Sequence, residues 1–321
     1  PPRSTLFPYT TLFRSGIKFH NGWYKFRSNP WLRLVYFTIS QIILIVKMWG
    51  KVKSSDIVYV NTVLPFGAAI LGKCKGAKVI YHIHESTVNP AILKWFLFKI
   101  VEKTADDIIN VSKYVEQSHN ITNAKNHLVY NTIENSYLEK VLPKTISSNP
   151  NNVLMVCSLK KYKGIYEFIQ LANDQPQYTF RLVLNASASE IDTFFKNDII
   201  PSNLTLYPSQ KDLHIFYPWA DVIVNLSRPD GWIETFGLTI LEGMAYGLPA
   251  IVPSVGGILE VIEEGVTGYA VDSRNREELN HKMAAIMENN TKYAAMSDAA
   301  KKRLKLFIEE EMMKAVDGIL F

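Results

Sequence analysis

The chain has 321 residues, 47% of them apolar, 20% charged and 12% aromatic. That is enough for about two domains with cores of their own, and it excludes a disordered or low-complexity chain. With 35 basic and 30 acidic side chains the formal charge is +5, too small an excess to imply nucleic acid but compatible with an anionic substrate or a membrane surface. Cys74 and Cys157 stand far apart and in no C-x-x-C pair, which excludes a disulfide framework or a zinc ribbon and suits a reducing cytosol.

Residues 1–15 read PPRSTLFPYTTLFRS, without an initiator Met. Thr5 to Ser15 looks like the translation of a common short-read sequencing adapter, with Arg3-Ser4 as the tail of a preceding copy. Pro8 and neighbouring threonines interrupt the apolar run a signal peptide needs. The segment is expected to be an assembly scar, with the true N-terminus missing.

From Trp31 to Trp49 runs WLRLVYFTISQIILIVKMW, whose uncharged part is well short of the roughly 20 residues that span a bilayer. It reads as a buried helix in preference to a membrane-surface one. The apolar run IVYVN at 57–61 is typical of a strand buried on both faces. A turn and helix follow around Pro65 and Gly67, then a strand from Lys78 to Glu85 (KVIYHIHE). A helix opens at Pro90, a favoured first position. A strand from Asp107, a short helix over Lys113 to His119 and a strand at 127–130 complete this half.

The segment from Leu142 to Asn152 (LPKTISSNPNN) is rich in Pro, Ser and Asn and reads as a linker. The alternation then restarts. Strands begin at Val153, Phe180, Leu204, Asp221, Ala250 and Gly268, and helices at Ile165, Ser189, Lys211 and Leu238, with a helical C-terminus. Strands alternating with helices imply parallel sheets covered on both sides. The predicted organisation is an incomplete N-terminal Rossmann-like domain at 16–142, a linker at 143–152 and a second Rossmann-like domain at 153–321. Two doubly wound α/β domains facing each other would bind ligands in the cleft, beyond the carboxyl ends of the strands.

The most informative stretch is SRPDGWIETFGLTILEGMAYGLPAIVPSVGG, from Ser227 to Gly257. A polar loop leads into a helix that begins near Gly237 and stops at Gly247-Leu248-Pro249. The N–H groups of Gly237, Leu238 and Thr239 would stand bare at the positive end of the helix dipole, a ready phosphate site. Glycine at 237 removes the Cβ that would hold a ligand off. Glu234 lies ahead of this helix and Glu242 about one turn inside it. Carboxylates beside a phosphate make sense if the phosphate carries polyols, whose hydroxyls need acceptors; a nucleotide sugar has two, ribose and hexose.

Here the sequence resembles the retaining glycosyltransferases of family 4, of GT-B fold. The matching residues are Glu234-TFGLTIL-Glu242 (an E-x7-E pair), the following GMAYGLP and GG segments, and Lys163-Gly164; VSKY at 111–114 and NTIE at 131–134 are weaker family-like features. The resemblance implies that Glu242 holds the ribose hydroxyls and Glu234 the donor hexose near its anomeric carbon. Phe236, Gly237 and Leu238, with Gly256 and Gly257 in the following GG turn, belong to donor binding through their backbone. Lys163 would neutralise the departing pyrophosphate. Ser158 stands where the family often has Arg, which removes a cation from the diphosphate clamp; Lys160 or Lys161 lacks the planar fork to replace it fully. Family members often place a histidine at the end of the second strand. His84 is preferred to His82: both share a face, and His84 sits nearer the rim.

The function implied is transfer of a sugar from a nucleotide-diphosphate sugar to a hydroxyl of a saccharide or lipid-linked saccharide acceptor, with retention. No metal and no cofactor is expected: no His/Asp/Glu cluster has metal spacing, and the Gly-x-Gly-x-x-Gly and Walker A motifs are absent. No nucleic acid partner is expected. The location expected is cytoplasmic, with peripheral membrane contact at the inner face. A role in bacterial surface polysaccharide or glycolipid synthesis is a family-level expectation. Two alternatives stay open: a GT-B nucleotide-sugar epimerase, and a catalytically silent sugar-nucleotide binder.

Overall fold

The structure, a computed structural model, describes residues 24–320. The adapter-like segment 1–15 lies outside the described residues. The chain forms two compact units, one of residues 24–110 and 119–127, the other of 111–118 and 128–319.

The first unit opens with helix α1 (Pro30–Met48), which Asn29 caps by accepting from the N–H groups of Trp31 and Leu32. Strand β1 (Ile57–Asn61), helix α2 (Phe66–Lys75), strand β2 (Lys78–Ile83), helix α3 (Ala91–Thr104) and strand β3 (Asp107–Asn110) follow. After α4 (Lys113–His119), which apart from His119 belongs to the second unit, comes β4 (Lys125–Leu128), and the sheet order is β1-β2-β3-β4. β1, β2 and β3 pair in parallel, with Val60 opposite Tyr81 and Tyr81 opposite Ile108. β2 and β3, inside the sheet, are almost wholly buried, whereas β1, also expected to be buried on both faces, is an edge strand and leaves Ile57 and Tyr59 exposed.

Three other expectations need correction. α1 is a helix, but it is not buried. Its buried residues are the polar Ser40 and Gln41. The Gln41 side-chain oxygen accepts from Gly67 N–H at 3.0 Å, and a Cβ at Gly67 would lie 2.8 Å from the Gln41 carbonyl oxygen. The helix is apolar nearly all round, so its composition left open which stripe would pack; backbone approach at Gly67 selects the polar one. The strand predicted at 127–130 lies two residues earlier. No helix forms over 211–219, which is a chain of turns: Pro218 has no N–H to continue a helical ladder, and Phe216 N–H bonds back three residues to Leu213 instead.

The second unit has a short helix α5 (Asn135–Leu138), then β5 (Asn152–Ser158), α6 (Ile165–Asp174), β6 (Thr179–Asn185), α7 (Ala188–Phe194) and β7 (Leu204–Tyr207). β8 (Val222–Val224), α8 (Leu238–Ala245), β9 (Ala250–Pro253) and β10 (Gly268–Val271) complete the sheet, and α9 (Arg276–Met287), α10 (Asn290–Leu304) and α11 (Glu309–Leu320) follow. The sheet order is β10-β9-β8-β5-β6-β7, every pair parallel. The chain therefore runs outward from β5 to one edge and returns to continue from β8, the doubly wound Rossmann order. Side-chain alternation divides the core in two. Val153, Met155, Leu182, Leu184, Val222 and Val224 pack on one face, and Leu154, Val183 and Ile223 on the other, the period of two that a strand imposes. Segment 143–152 is stitched to this unit: Asp221 accepts from the N–H groups of Asn151 and Asn152 and pairs with Lys144 at 3.3 Å.

Candidate functional site

The reversal of strand order falls between β5 and β8, so their carboxyl ends leave a crevice beside which ligands bind in such sheets. β5 ends at Ser158 and passes through a single 3-10 turn, Lys161–Lys163. Gly164 leaves that turn at φ +79°, and a Cβ there would lie 2.1 Å from the Leu226 carbonyl oxygen beyond β8. Only glycine lets the two strand ends meet this closely.

That contact brings Lys163 to Glu234. Lys163 Nζ donates to Glu234 Oε1 at 2.5 Å, and both side chains are largely buried. Ser227 Oγ donates to the same oxygen at 2.7 Å, Asn225 Nδ2 at 3.3 Å, and Trp232 Nε1 donates to Oε2 at 3.2 Å. The Trp232 indole stacks on Tyr162 with 6.1 Å between centroids, and Lys163 Nζ stands 5.2 Å from its ring centre, close enough for cation–π attraction. A carboxylate held by four donors is fixed in direction; three of them crowd Oε1, and Oε2, with Trp232 alone, keeps a lone pair for a hydroxyl group.

Behind Glu234 lies the GG turn. Gly256 has φ +116°, and a Cβ there would sit 2.4 Å from the Glu234 carbonyl oxygen; at Gly257 it would sit 2.1 Å from that of Thr235. Both glycines let backbone press on backbone and so fix the height of the 234–235 loop. α8 starts directly after, with Gly237 as its N-cap and no side chain capping it, which leaves the first N–H groups and the positive dipole end available to an anion. Gly237 has a packing role as well, because a Cβ there would meet Ile258 Cγ1 at 2.7 Å. The Phe236 ring is buried among Tyr130 and Phe307, so Phe236 offers backbone alone.

Glu242, in the second turn of α8, accepts a short hydrogen bond from Tyr217 OH. Burial pushes its carboxyl up to about 7. Tyr217 stacks on Tyr246, whose hydroxyl meets His214 Nδ1 at 2.5 Å. Ser158 ends β5 with its carbonyl bonded to Lys160 N–H at 2.7 Å, and Lys161 Nζ lies over the Tyr166 ring at 5.7 Å. Burial pushes the thiol of Cys157, the neighbour of Ser158, up to about 12, which disfavours the thiolate. Among the described residues, no group of three His, Cys, Asp or Glu stands close enough to hold a metal ion.

His84 belongs to the first unit, just past β2. Its ring lies 4.3 Å from that of His82, so the two do share a face, and its Nε2 meets Asn61 Oδ1 at 2.8 Å. Burial lowers its pKa to about 4, which keeps the ring neutral at physiological pH. Thr62, at the end of β1, is held at φ +74° by its N–H bond to the His82 carbonyl oxygen. Such left-handed β-branched residues concentrate at functional sites.

The structure thus brings Lys163, Glu234, Gly256 and Gly257 together beside the start of α8, with Glu242 on the same helix. Asn225, Ser227 and Trp232 complete the site and were not singled out from the sequence, although Asn225 and Ser227 lie just past the buried strand β8, where polar residues face the crevice. Asn61, the polar last residue of β1, carried the same signal; Tyr217 carried none.

Residues 139–303, just over half of the chain, match the family model described as glycosyl transferases group 1. That span contains every site residue above except His84 and its neighbours. A Klebsiella pneumoniae relative, an uncharacterized 41.2 kDa protein in the cps region, is 27% identical over 79% of this chain and 74% of its own. The N-acetyl-alpha-D-glucosaminyl L-malate synthase of Bacillus anthracis is 22% identical over 83% of this chain and 74% of its own. Among solved structures, Anabaena Alr3699/HepE in complex with UDP superposes with a TM-score of 0.75 at 18% identity, over 92% of this chain and 85% of that one. This likeness shows the GT-B fold. On the family match, the chain belongs to the glycosyl transferases group 1 family.

Proposed function

We propose that the chain is a retaining, metal-independent glycosyltransferase of family 4 type that moves a hexose-type sugar from a nucleotide-diphosphate donor to a hydroxyl acceptor, with no resident cofactor. The observation that carries this reading is the Lys163–Glu234 pair beside the uncapped start of α8. Cation and dipole suit a diphosphate, and a fixed carboxylate suits sugar hydroxyls. The complexes of the Anabaena relative with UDP and with UDP-glucose support a nucleotide-sugar donor. Glu242 accepts from the ribose in this assignment, exchanging the Tyr217 hydroxyl for sugar hydroxyls.

The reaction assigned is attack of an acceptor hydroxyl on the anomeric carbon from the side of the leaving group. The bond from that carbon to the phosphate oxygen breaks, the new glycosidic bond forms, and the acceptor proton passes to the departing phosphate. Lys163 and the start of α8 stabilise the charge that develops there, while Glu234 and its donors position the sugar. The acceptor is a saccharide or lipid-linked saccharide of a bacterial surface polysaccharide or glycolipid pathway, met at the cytoplasmic face of the membrane. The test is a donor screen read by NMR: a product with the donor's anomeric configuration supports the assignment, and the opposite anomer overturns it.

A second reading, a sugar-nucleotide binder without transfer, is favoured by Ser158 in place of an arginine. Tight donor binding with neither transfer nor hydrolysis across the screen would establish it.

A further inference from the structure

α1 carries its amphipathicity inside out. Ser40 and Gln41 face the domain, with Phe37 packed edge-on against Phe66 of α2 at 5.7 Å. The opposite stripe consists of Trp31, Val35, Ile39, Ile42, Val46 and Trp49, all exposed, from 40% at Ile39 to 79% at Trp31. These positions recur every three or four residues along about 28 Å of helix, with a tryptophan at each end. Beyond Phe66, α3 packs Phe96 at 5.4 Å and turns Trp95 outward. Residues 24–55 also contain six basic side chains (Lys25, Arg27, Arg33, Lys47, Lys51 and Lys53) and no acidic one.

We propose that this face of α1 lies on an anionic lipid surface, with the helix in the interfacial plane. An exposed apolar stripe of this size marks an interaction site. Its chemistry, apolar side chains and terminal tryptophans flanked by cations alone, is that of a helix seated among acidic headgroups. A second copy of this chain fits less well, because pairing the stripes would bring two sets of six cations together. The helix is long and apolar enough to cross a membrane by length and composition. Crossing would strip Gln41 from Gly67 and place Ser40, Gln41 and Arg33 in hydrocarbon, so the helix lies on the surface. The proposal deepens the reading of a membrane-held acceptor and rests on it for its purpose, since it fixes which surface of the first unit meets the lipid.

The experiment is sedimentation of the full chain with phosphatidylcholine vesicles, with and without phosphatidylglycerol, alongside titration with nucleoside diphosphates. Binding to the anionic vesicles alone, weakened by raising the salt, is expected. Trp31→Ser with Val46→Ser should bind about a hundredfold more weakly, from the burial of two large side chains, with unchanged circular dichroism. Lys25→Gln and Lys53→Gln, which leave the apolar stripe intact, should each cost about fivefold. A chain that binds a nucleoside diphosphate but no anionic vesicle overturns the proposal, as does a dimer that the Trp31→Ser and Val46→Ser pair dissociates. Vesicle binding without any diphosphate binding leaves the surface standing and removes the transferase reading.

Discussion

Replacing Glu242 by glutamine should strengthen the fold and weaken the donor site together. Burial holds the carboxyl at about 7, against an ordinary 4.5. The folded chain therefore keeps this proton up to about pH 7, whereas the unfolded chain releases it near pH 4.5. Between those values the folded state binds more protons, so its stability falls as pH rises through the window and levels off above it. The accumulated cost is about 3 kcal/mol above pH 7. Glutamine has the same shape, has no proton to lose and can still accept from Tyr217 OH. Urea unfolding at about pH 4 should show the variant and the parent equally stable, and at about pH 8 the variant should be more stable by about 3 kcal/mol. Nucleoside diphosphate affinity should fall tenfold or more at the higher pH, because a charged acceptor for two hydroxyls is gone. In the parent, the same affinity should rise with pH up to about 7 and then flatten. A variant no more stable than the parent at pH 8, or one that binds donor equally well, would refute this account of Glu242.

Other sites give sharper or simpler outcomes. Ser227→Ala removes the 2.7 Å donor that orients Glu234, and turnover should drop about tenfold with little change in donor affinity, since three other donors remain. Gly256→Ala places a Cβ 2.4 Å from a backbone oxygen at φ +116°; thermal unfolding should show a loss of at least about 2 kcal/mol. His84 should show no titration by NMR between about pH 5.5 and 8, its pKa being lowered to about 4. Because the unfolded histidine takes up its proton near 6.5, stability should decline as pH falls from about 6.5 towards 4; a His84 midpoint near 6.5 would contradict the buried geometry.

Much of the architecture could be read from residue order alone, for a physical reason. Strands buried on both faces, such as VIYHI at 79–83 and VLMV at 153–156, must be continuous apolar runs, and glycines and prolines punctuate them. The E-x7-E spacing likewise placed Glu234 in a loop and Glu242 on a helix, as found. What escaped the sequence depends on which partner wins. α1 is apolar on most of its circumference, and only the close approach at Gly67 decides that Gln41 faces inward. Residues 211–219 show helical periodicity but end in Pro218. Lys163 reaches Glu234 from 71 residues away because Gly164 lets the chain pack against the Leu226 backbone, and no local pattern reports that contact.

The proposed transfer requires that Lys163 and the start of α8 receive the diphosphate of the donor. The most direct measurement of this is calorimetric titration of UDP, GDP and ADP against the parent chain and Lys163→Ala. One nucleoside diphosphate should bind per parent chain, and binding should weaken tenfold or more in the variant, through loss of a charge-assisted contact. No binding of any of the three by the parent, or equal binding by both chains, would contradict it.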